Sequence, residues 1–294
     1  MSNKYVDCIK ILFKSSTVPR TDWIYVAFSI FVTVIRNPNS ITDNTKQKSH
    51  FLSDYLPHKI IMKSPKGLYF IARPKYEDLA RFLFSSTVAK WEPLDEIKVK
   101  EKDIVIDVGA NVGYYTLKWA SDVGENGKVV AIEADPNSCE ILKENCRLNK
   151  ISNVEIFNYA ASEKKEIVTL YTSKTHSGTN SIFSSKAKNS SIKVSSITLD
   201  ELLSDNFLEI NWIKIDVEGA ELQVLKGSSK ILQKTQNIII ELHEHILNQN
   251  GQKPQDIMDI LKERGFKTKL FIEHWNEKTS PNKTLKSDYI LGQR

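Results

Sequence analysis

Three short stretches of this chain carry side chains whose types and spacing can do chemistry. The first is Asp107-Val-Gly-Ala-Asn-Val-Gly113, two glycines spaced G-x-x-x-G with a carboxylate two residues before the first. The second is Glu133-Ala-Asp-Pro136, whose acid follows Asp107 by 26 residues. The third is Lys214-Ile-Asp-Val-Glu-Gly-Ala-Glu221, with Glu241-Leu-His-Glu-His245 further on. A glycine turn lets a ligand approach the main chain, and the helix start behind it offers free N–H groups. Carboxylates at strand tips accept hydroxyl hydrogens, and a histidine beside them can move a proton.

The elements that must position these groups are legible around them. Ile104, Val105, Ile106 and Val108 form a short apolar run of the kind that makes a buried parallel strand. Beyond Gly113, Tyr115, Leu117, Trp119 and Ala120 recur with helical spacing. Strand, glycine turn and helix make the first half of a nucleotide-binding βαβ unit. The dinucleotide fingerprint requires G-x-G-x-x-G around a pyrophosphate, which a neighbouring Asp107 would repel. A carboxylate there suits a cationic ligand, and the ammonium and sulfonium of S-adenosylmethionine fit. Lys128–Glu133 reads as the second strand, ending in an acid able to take both ribose hydroxyls. Asp107, Gly109, Asn111 and Gly113 are therefore expected at the methionine end and Glu133 at the ribose. Asn153–Ala160 is the expected third strand, and Asn158–Ser162, with Ala161, should pass the adenine through main-chain contacts.

Taken together and in this order, the three stretches resemble the hallmark segments of FkbM-type methyltransferases, over roughly Ile97 to Phe271. That resemblance implies S-adenosylmethionine as cofactor and transfer of its methyl group, mostly to oxygen. It also implies an α/β, Rossmann-like class I methyltransferase fold, a mostly parallel seven-stranded sheet with helices on both faces. The fourth strand, Trp212–Val217, then delivers Asp216 and Glu218 to the sheet edge that holds Gly109. Two residues apart, they face the same side of an extended chain. Ile238–His243 is the fifth strand, and His243 at its tip is the natural general base, with Asp216 and Glu218 orienting the acceptor. A cation held by Asp216, Glu218 and His243 lacks a spacing signature, and no metal is assigned. A helix over Ile257–Arg264, a sixth strand over Phe266–Ile272 and a seventh at Tyr289–Leu291, the antiparallel edge, complete the sheet. His245 falls in the loop after the fifth strand.

Around this core the chain is less regular. Ile167–Tyr171 reads as a strand, and Thr175–Ser181 as a small-polar lid or substrate loop containing His176. Ser196–Leu203 reads as a short helix capped near Thr198. Before the core, residues 1–95 form an appendage, mainly helical, and 96–294 the methyltransferase domain. Trp23–Ile35 holds 13 uncharged residues, too few to span a bilayer, which needs about 20. It is read as a buried or interfacial helix, so peripheral membrane contact through 23–35 stays open. Ile60–Met62 and Leu68–Ile71 flank a turn as a hairpin, and Tyr76–Ala89 is helical. Hairpin and helix are read as one wall of the acceptor pocket, with Trp91-Glu-Pro93 as the boundary and His50 and His58 as loop residues.

Charge is uneven. Residues 1–100 carry 16 basic against 9 acidic side chains, and the remainder 25 against 27, within a net +5. The basic third suits an anionic surface or a plain solvated face. Cys139 and Cys146, seven apart on a helix, read as small buried residues, and with Cys8 make an odd set without metal spacing; a reducing, cytoplasmic setting follows. The expected activity is O-methylation of a small or carbohydrate-type acceptor. An N-methylating enzyme would carry an Asn/Asp-Pro-Pro-aromatic motif where Asp216-Val-Glu-Gly219 stands, so no nucleic acid is expected. The alternative is a non-catalytic binding module that docks on membrane or nucleic acid through its basic third. Oligomeric state is not legible.

Overall fold

The structure, a computed structural model, describes residues 60–63, 67–72, 97–173, 177–183, 190–203, 205–272 and 288–294. The chain divides into two compact units, 1–92 with 274–286 and 93–273 with 287–294. In the first, β1 (Ile60–Lys63) and β2 (Tyr69–Ala72) pair antiparallel, with Ile61 opposite Ile71, as the two short apolar runs predict. The readings placed on Trp23–Ile35, Tyr76–Ala89, Trp91–Pro93, His50, His58 and His176 lie outside the described residues.

The second unit is built on a seven-stranded sheet. Its strands are β3 (Ile104–Val108), β4 (Lys128–Ile132), β5 (Val154–Phe157), β9 (Ile210–Ile215), β10 (Thr235–Leu242), β11 (Lys267–Ile272) and β12 (Asp288–Gln293). Their spatial order is β11-β12-β10-β9-β3-β4-β5. β5, β4, β3, β9 and β10 run parallel, while β12 is antiparallel to both its neighbours. The helices are α1 (Tyr114–Val123), α2 (Pro136–Leu148), α3 (Leu199–Leu203), α4 (Glu221–Lys226), α5 (Ser229–Lys234), α6 (Glu244–Gln249) and α7 (Pro254–Glu263).

Both faces of the sheet are covered, which is why its strands read as nearly continuous apolar runs. Alternation sorts them. Ile106, Val130, Ile213, Ile238 and Ile240 pack on one face with Leu203, Leu225, Ile231, Ile257 and Leu261 of the helices. Val105, Val129, Trp212 and Ile239 pack on the other with Trp119, Ala120 and Val123 of α1. Each fully buried Leu or Ile in these layers contributes about 1.5–3 kcal/mol relative to exposure. Pro136 opens α2 at its first position, with Asp135 capping it by accepting the Asn137 N–H at 2.9 Å. Cys139 and Cys146 are buried on that helix as expected.

Several expectations are corrected. β12 is not the edge strand: it sits between β10 and β11, and β11 is the edge. Its Tyr289, Ile290 and Leu291 are buried, which fits a strand paired on both sides. The third strand leaves the main sheet early. After Phe157, the Asn158 side-chain amide turns back to the Glu133 and Ala134 carbonyls at 2.7 and 3.2 Å. The chain then forms β6 (Ala160–Ala161), part of a separate sheet of order β6-β8-β7 with β7 (Ile167–Thr172) and β8 (Ser190–Ile197). Ser196 and Ile197 thus end a strand, and α3 begins after Thr198. Thr198 caps it, its hydroxyl accepting the Glu201 N–H at 3.0 Å and donating to the Glu201 carboxylate at 3.1 Å. Paired serines at both ends, Ser190-Ser191 and Ser195-Ser196, hid β8. His245 lies in α6, a helix the sequence reading left as loop, and α7 starts at Pro254, ahead of Ile257.

Candidate active site

The glycine loop stands on β3 and β4. The N–H groups of Gly109 and Ala110 both donate to the Ile132 carbonyl, at 2.9 and 3.1 Å, turning the chain over the tip of β4. Gly109 has φ +79, and a Cβ there would lie 1.8 Å from the Asp216 carbonyl oxygen, so only glycine fits. Asn111 follows at φ +50, a conformation that asparagine tolerates better than most residues.

Glu133 ties this loop to its own turn. Its Oε2 accepts the Asn111 N–H at 2.7 Å and its Oε1 the Asp135 N–H at 2.8 Å. Each carboxylate oxygen has two lone-pair sites, so one on each remains for a further donor. Two hydroxyls on adjacent carbons match that pair, which is the test a nucleoside ribose must pass at this site. Burial pushes the Glu133 carboxyl up to about 7, against the lowering effect of the two backbone N–H groups. A carboxylate held this way gains from incoming hydroxyl donors.

Asp107 is placed differently from the open acid the sequence suggests. It is fully buried, accepts the Thr116 hydroxyl at 2.6 Å, and pairs with Lys214 Nζ at 3.4 Å. Lys214 is its cross-strand partner in the β3–β9 ladder and is itself buried. Its ammonium also meets Asp216 at 3.2 Å and lies 5.4 Å from the centre of the Tyr115 ring. Burial would lower the Lys214 pKa, but Asp216, Asp107 and Glu241 hold it above the usual lysine range. Asp107 therefore underpins the loop through an internal salt bridge. Ala161, expected beside the adenine, packs its methyl in the apolar core while its backbone pairs with Ile197. The Ala161 side chain is therefore turned away from any ligand at that edge.

The third group converges on His243, though not by strand alternation. Glu218 has φ +54, so the chain turns sharply after Asp216 instead of staying extended. The turn still brings Glu218 Oε2 to 3.4 Å and Asp216 Oδ1 to 3.9 Å from His243 Nε2. On the other ring nitrogen, His243 Nδ1 meets Glu221 Oε1 at 2.8 Å. Glu221 is fully buried, and the same oxygen accepts the Gly219 N–H at 2.9 Å. Glu221 is thus more than the helix-terminus charge its position suggests. Burial lowers the His243 pKa, but Glu218 and Glu221 outweigh it and leave the imidazole well above the ordinary histidine range. Asp216, Glu241 and His243 each bring one ligand atom within 4.8 Å of the others, a spacing that could hold a cation, and it involves Glu241 in place of Glu218. Lys214 already sets a positive charge beside Asp216.

The sequence motifs contain Lys214 and Glu221 but give no sign of their partners, and they give no sign of Thr116 or of the pair Asn180 and Ser181. Asn180 donates to Asp135 at 3.0 Å, and the Ser181 hydroxyl donates to the Glu218 carbonyl at 2.6 Å. Only the small-polar composition of that loop hinted at a role.

A parallel sheet with a glycine turn after its first strand, a ribose-type acid after its second and a polar cluster after its fourth defines a class I, S-adenosylmethionine-binding methyltransferase fold. Residues 107–268 match the Methyltransferase FkbM domain, and the chain belongs to that family of S-adenosylmethionine-dependent methyltransferases. It is similar to the hexuronic acid methyltransferase AglP of Haloferax volcanii, 27% identical over 197 residues, which are 67% of this chain and 73% of that one. A probable cobalt-precorrin-6B C(15)-methyltransferase (decarboxylating) of Sulfolobus acidocaldarius is 38% identical over 58 residues, 20% of this chain and 30% of that protein. Among solved structures, Aeropyrum pernix fibrillarin in complex with natively bound S-adenosyl-L-methionine aligns at a TM-score of 0.43 and 12% identity, covering 80% of this chain and 94% of that one. The non-catalytic binding-module alternative is set aside by the family assignment.

Proposed function

We propose that this protein is an O-methyltransferase acting on a hydroxyl of a carbohydrate-type acceptor. The observation that carries this reading is the His243 cluster, with Nδ1 on Glu221 at 2.8 Å and Nε2 facing Glu218 and Asp216 at 3.4 and 3.9 Å. When bound, S-adenosylmethionine supplies a methyl carbon already activated by its sulfonium. The protein's remaining task is to place an oxygen and remove its proton. Asp216 and Glu218 accept hydrogen bonds from the acceptor hydroxyls. Glu221 fixes the imidazole with Nδ1–H toward itself, so Nε2 is the atom that takes the proton. Polyhydroxylated acceptors suit so many adjacent carboxylates, and the named acceptor of the Haloferax relative, a hexuronic acid, is of that class.

The test is transfer of labelled methyl to a panel of neutral hexoses, uronic acids and their glycosides, followed across pH. Only neutral His243 can accept a proton, and Glu218 and Glu221 raise its pKa. The rate should therefore climb with pH through and beyond the ordinary histidine range, near 6.5. Glu218→Gln should move that climb to lower pH and lower its plateau. His243→Ala should cost about 100-fold or more in kcat, with S-adenosylhomocysteine binding retained. Absence of transfer to any hydroxyl in the panel, or full activity in His243→Ala, would overturn the reading.

A further inference from the structure

The small sheet β6-β8-β7 interrupts the βα alternation of the fold, and the segment 177–183 that it carries touches two different loops of the site. Asn180 reaches one. Its Nδ2 donates to Asp135 Oδ2 at 3.0 Å, and Asp135 in turn donates its N–H to Glu133 at 2.8 Å. The adjacent Ser181 reaches the other. Its hydroxyl donates to the Glu218 carbonyl at 2.6 Å, while its backbone is locked to Tyr171 by bonds of 2.8 and 3.1 Å.

What Ser181 grips is a strained residue. Glu218 is one of the few non-glycine residues described at positive φ, and such positions persist only where the surroundings hold them. Its carbonyl is held by Ser181, and the next N–H, of Gly219, by Glu221. Gly219 can carry no side chain, since a Cβ there would lie 2.3 Å from the Ile246 side chain. The Glu218 carboxylate, aimed at His243, therefore depends on two clamps, one from each side. Consecutive side chains of one segment thus fasten the turn that carries the ribose acid to the turn that carries an acceptor carboxylate.

We propose that Asn180 and Ser181 are positioning residues that couple the two halves of the site, so that filling the Glu133 side sets the Glu218–Gly219 turn in place. The path is three hydrogen bonds, Glu133 to Asp135, Asp135 to Asn180 and Ser181 to Glu218, joined by the backbone between Asn180 and Ser181. Ordering of the Asp135 turn by a bound nucleoside restrains Asn180, and Ser181 passes that restraint to Glu218. A consequence is ordered binding, with the acceptor carboxylates properly set only once the cofactor is home. The inference rests on the cofactor assignment above and not on the identity of the acceptor.

Hydrogen exchange of the full chain, with and without S-adenosylhomocysteine, tests it. In the wild type the ligand should slow exchange at 131–135 and, at least fivefold, at 216–221. Asn180→Asp keeps the acceptor atom that holds the Ser173 N–H at 3.1 Å but sets a like charge against Asp135. In this variant the slowing at 131–135 should persist while that at 216–221 falls below twofold. Ser181→Ala, which keeps the backbone bridge to Tyr171, should give the same result from the other end of the path. Wild-type slowing at 216–221 in both variants, or none there in the wild type, would overturn the coupling. Failure of the wild type to bind the ligand at all, read by calorimetry, would instead bring down the cofactor assignment and the coupling with it.

Discussion

Glu133 carries a buried carboxyl whose pKa stands at about 7 because burial penalises the charged form more than two backbone N–H groups favour it. The sign of its effect on binding follows directly. Ribose hydroxyls donate to the carboxylate form, so cofactor affinity should increase as pH rises through about 7 and level off above it. Calorimetric titration of S-adenosylhomocysteine at pH 6 and pH 8 should show the tighter binding at pH 8, and Glu133→Gln should flatten that dependence while weakening binding. Equal affinity at both pH values in the wild type would count against Glu133 as the ribose acid. The same burial acts on stability. The folded pKa lies above the unfolded value of 4.5, so this group favours folding below pH 4.5 and loses that contribution as pH rises through 7. Glu133 was legible in the sequence because its role depends on a strand tip and a local turn. Lys214 and Glu221 were not. Lys214 meets Asp107 across 107 positions of chain and Glu221 meets His243 across 22, and neither pairing has a local signature.

At the scale of elements, the tip of β3 and the tip of β9 are built against each other. The Asp216 N–H donates to the Val108 carbonyl at 3.0 Å, and Gly109 leaves the space the Asp216 carbonyl fills. Gly109→Ala should therefore displace β9 and not only strain its own turn. Turnover should drop at least 100-fold, with a stability loss exceeding the roughly 1–2 kcal/mol of a left-handed alanine. Gly265→Ala is the control. It has a similar φ of +85, but a Cβ there would meet nothing within 4 Å, so it should show the backbone cost alone. Thermal denaturation and methyl transfer of the two variants side by side check this, and matching losses would refute it. Parallel core strands and their order of appearance were readable from apolar runs and glycine turns. The β6-β8-β7 insertion was only half readable, because β8 carries serine pairs at Ser190-Ser191 and Ser195-Ser196 and exposes much of one face. The interior place of β12 was not readable, since pairing partners are set by the whole sheet.

At the scale of the molecule, the residues proposed for the cofactor and for proton removal belong to one of the two units. Asp107, Gly109, Glu133, Asp216 and His243 all fall in 93–273. We propose that residues 96–294 bind S-adenosylhomocysteine on their own, with an affinity within threefold of the full chain, and that residues 1–95 contribute to choice of acceptor. Calorimetry on the fragment, paired with the acceptor panel, reads both parts. A folded fragment that does not bind would show that cofactor binding needs the N-terminal residues. Among the described residues no helix is long and apolar enough to cross a membrane.

The slot that β12 fills has a consequence for synthesis. β10 and β11 are separated by a strand drawn from residues 288–293, so during translation the sheet stays open on that side until those residues have left the ribosome. Until then β10 presents an unpaired edge carrying Ile238 and Ile240, and β11 has no neighbour in the sheet at all. Open strand edges of this kind recruit other chains. A chain cut short of residue 288 should therefore keep β3, β4, β5, β9 and β10 but aggregate more readily than the full chain, which light scattering of the two would read.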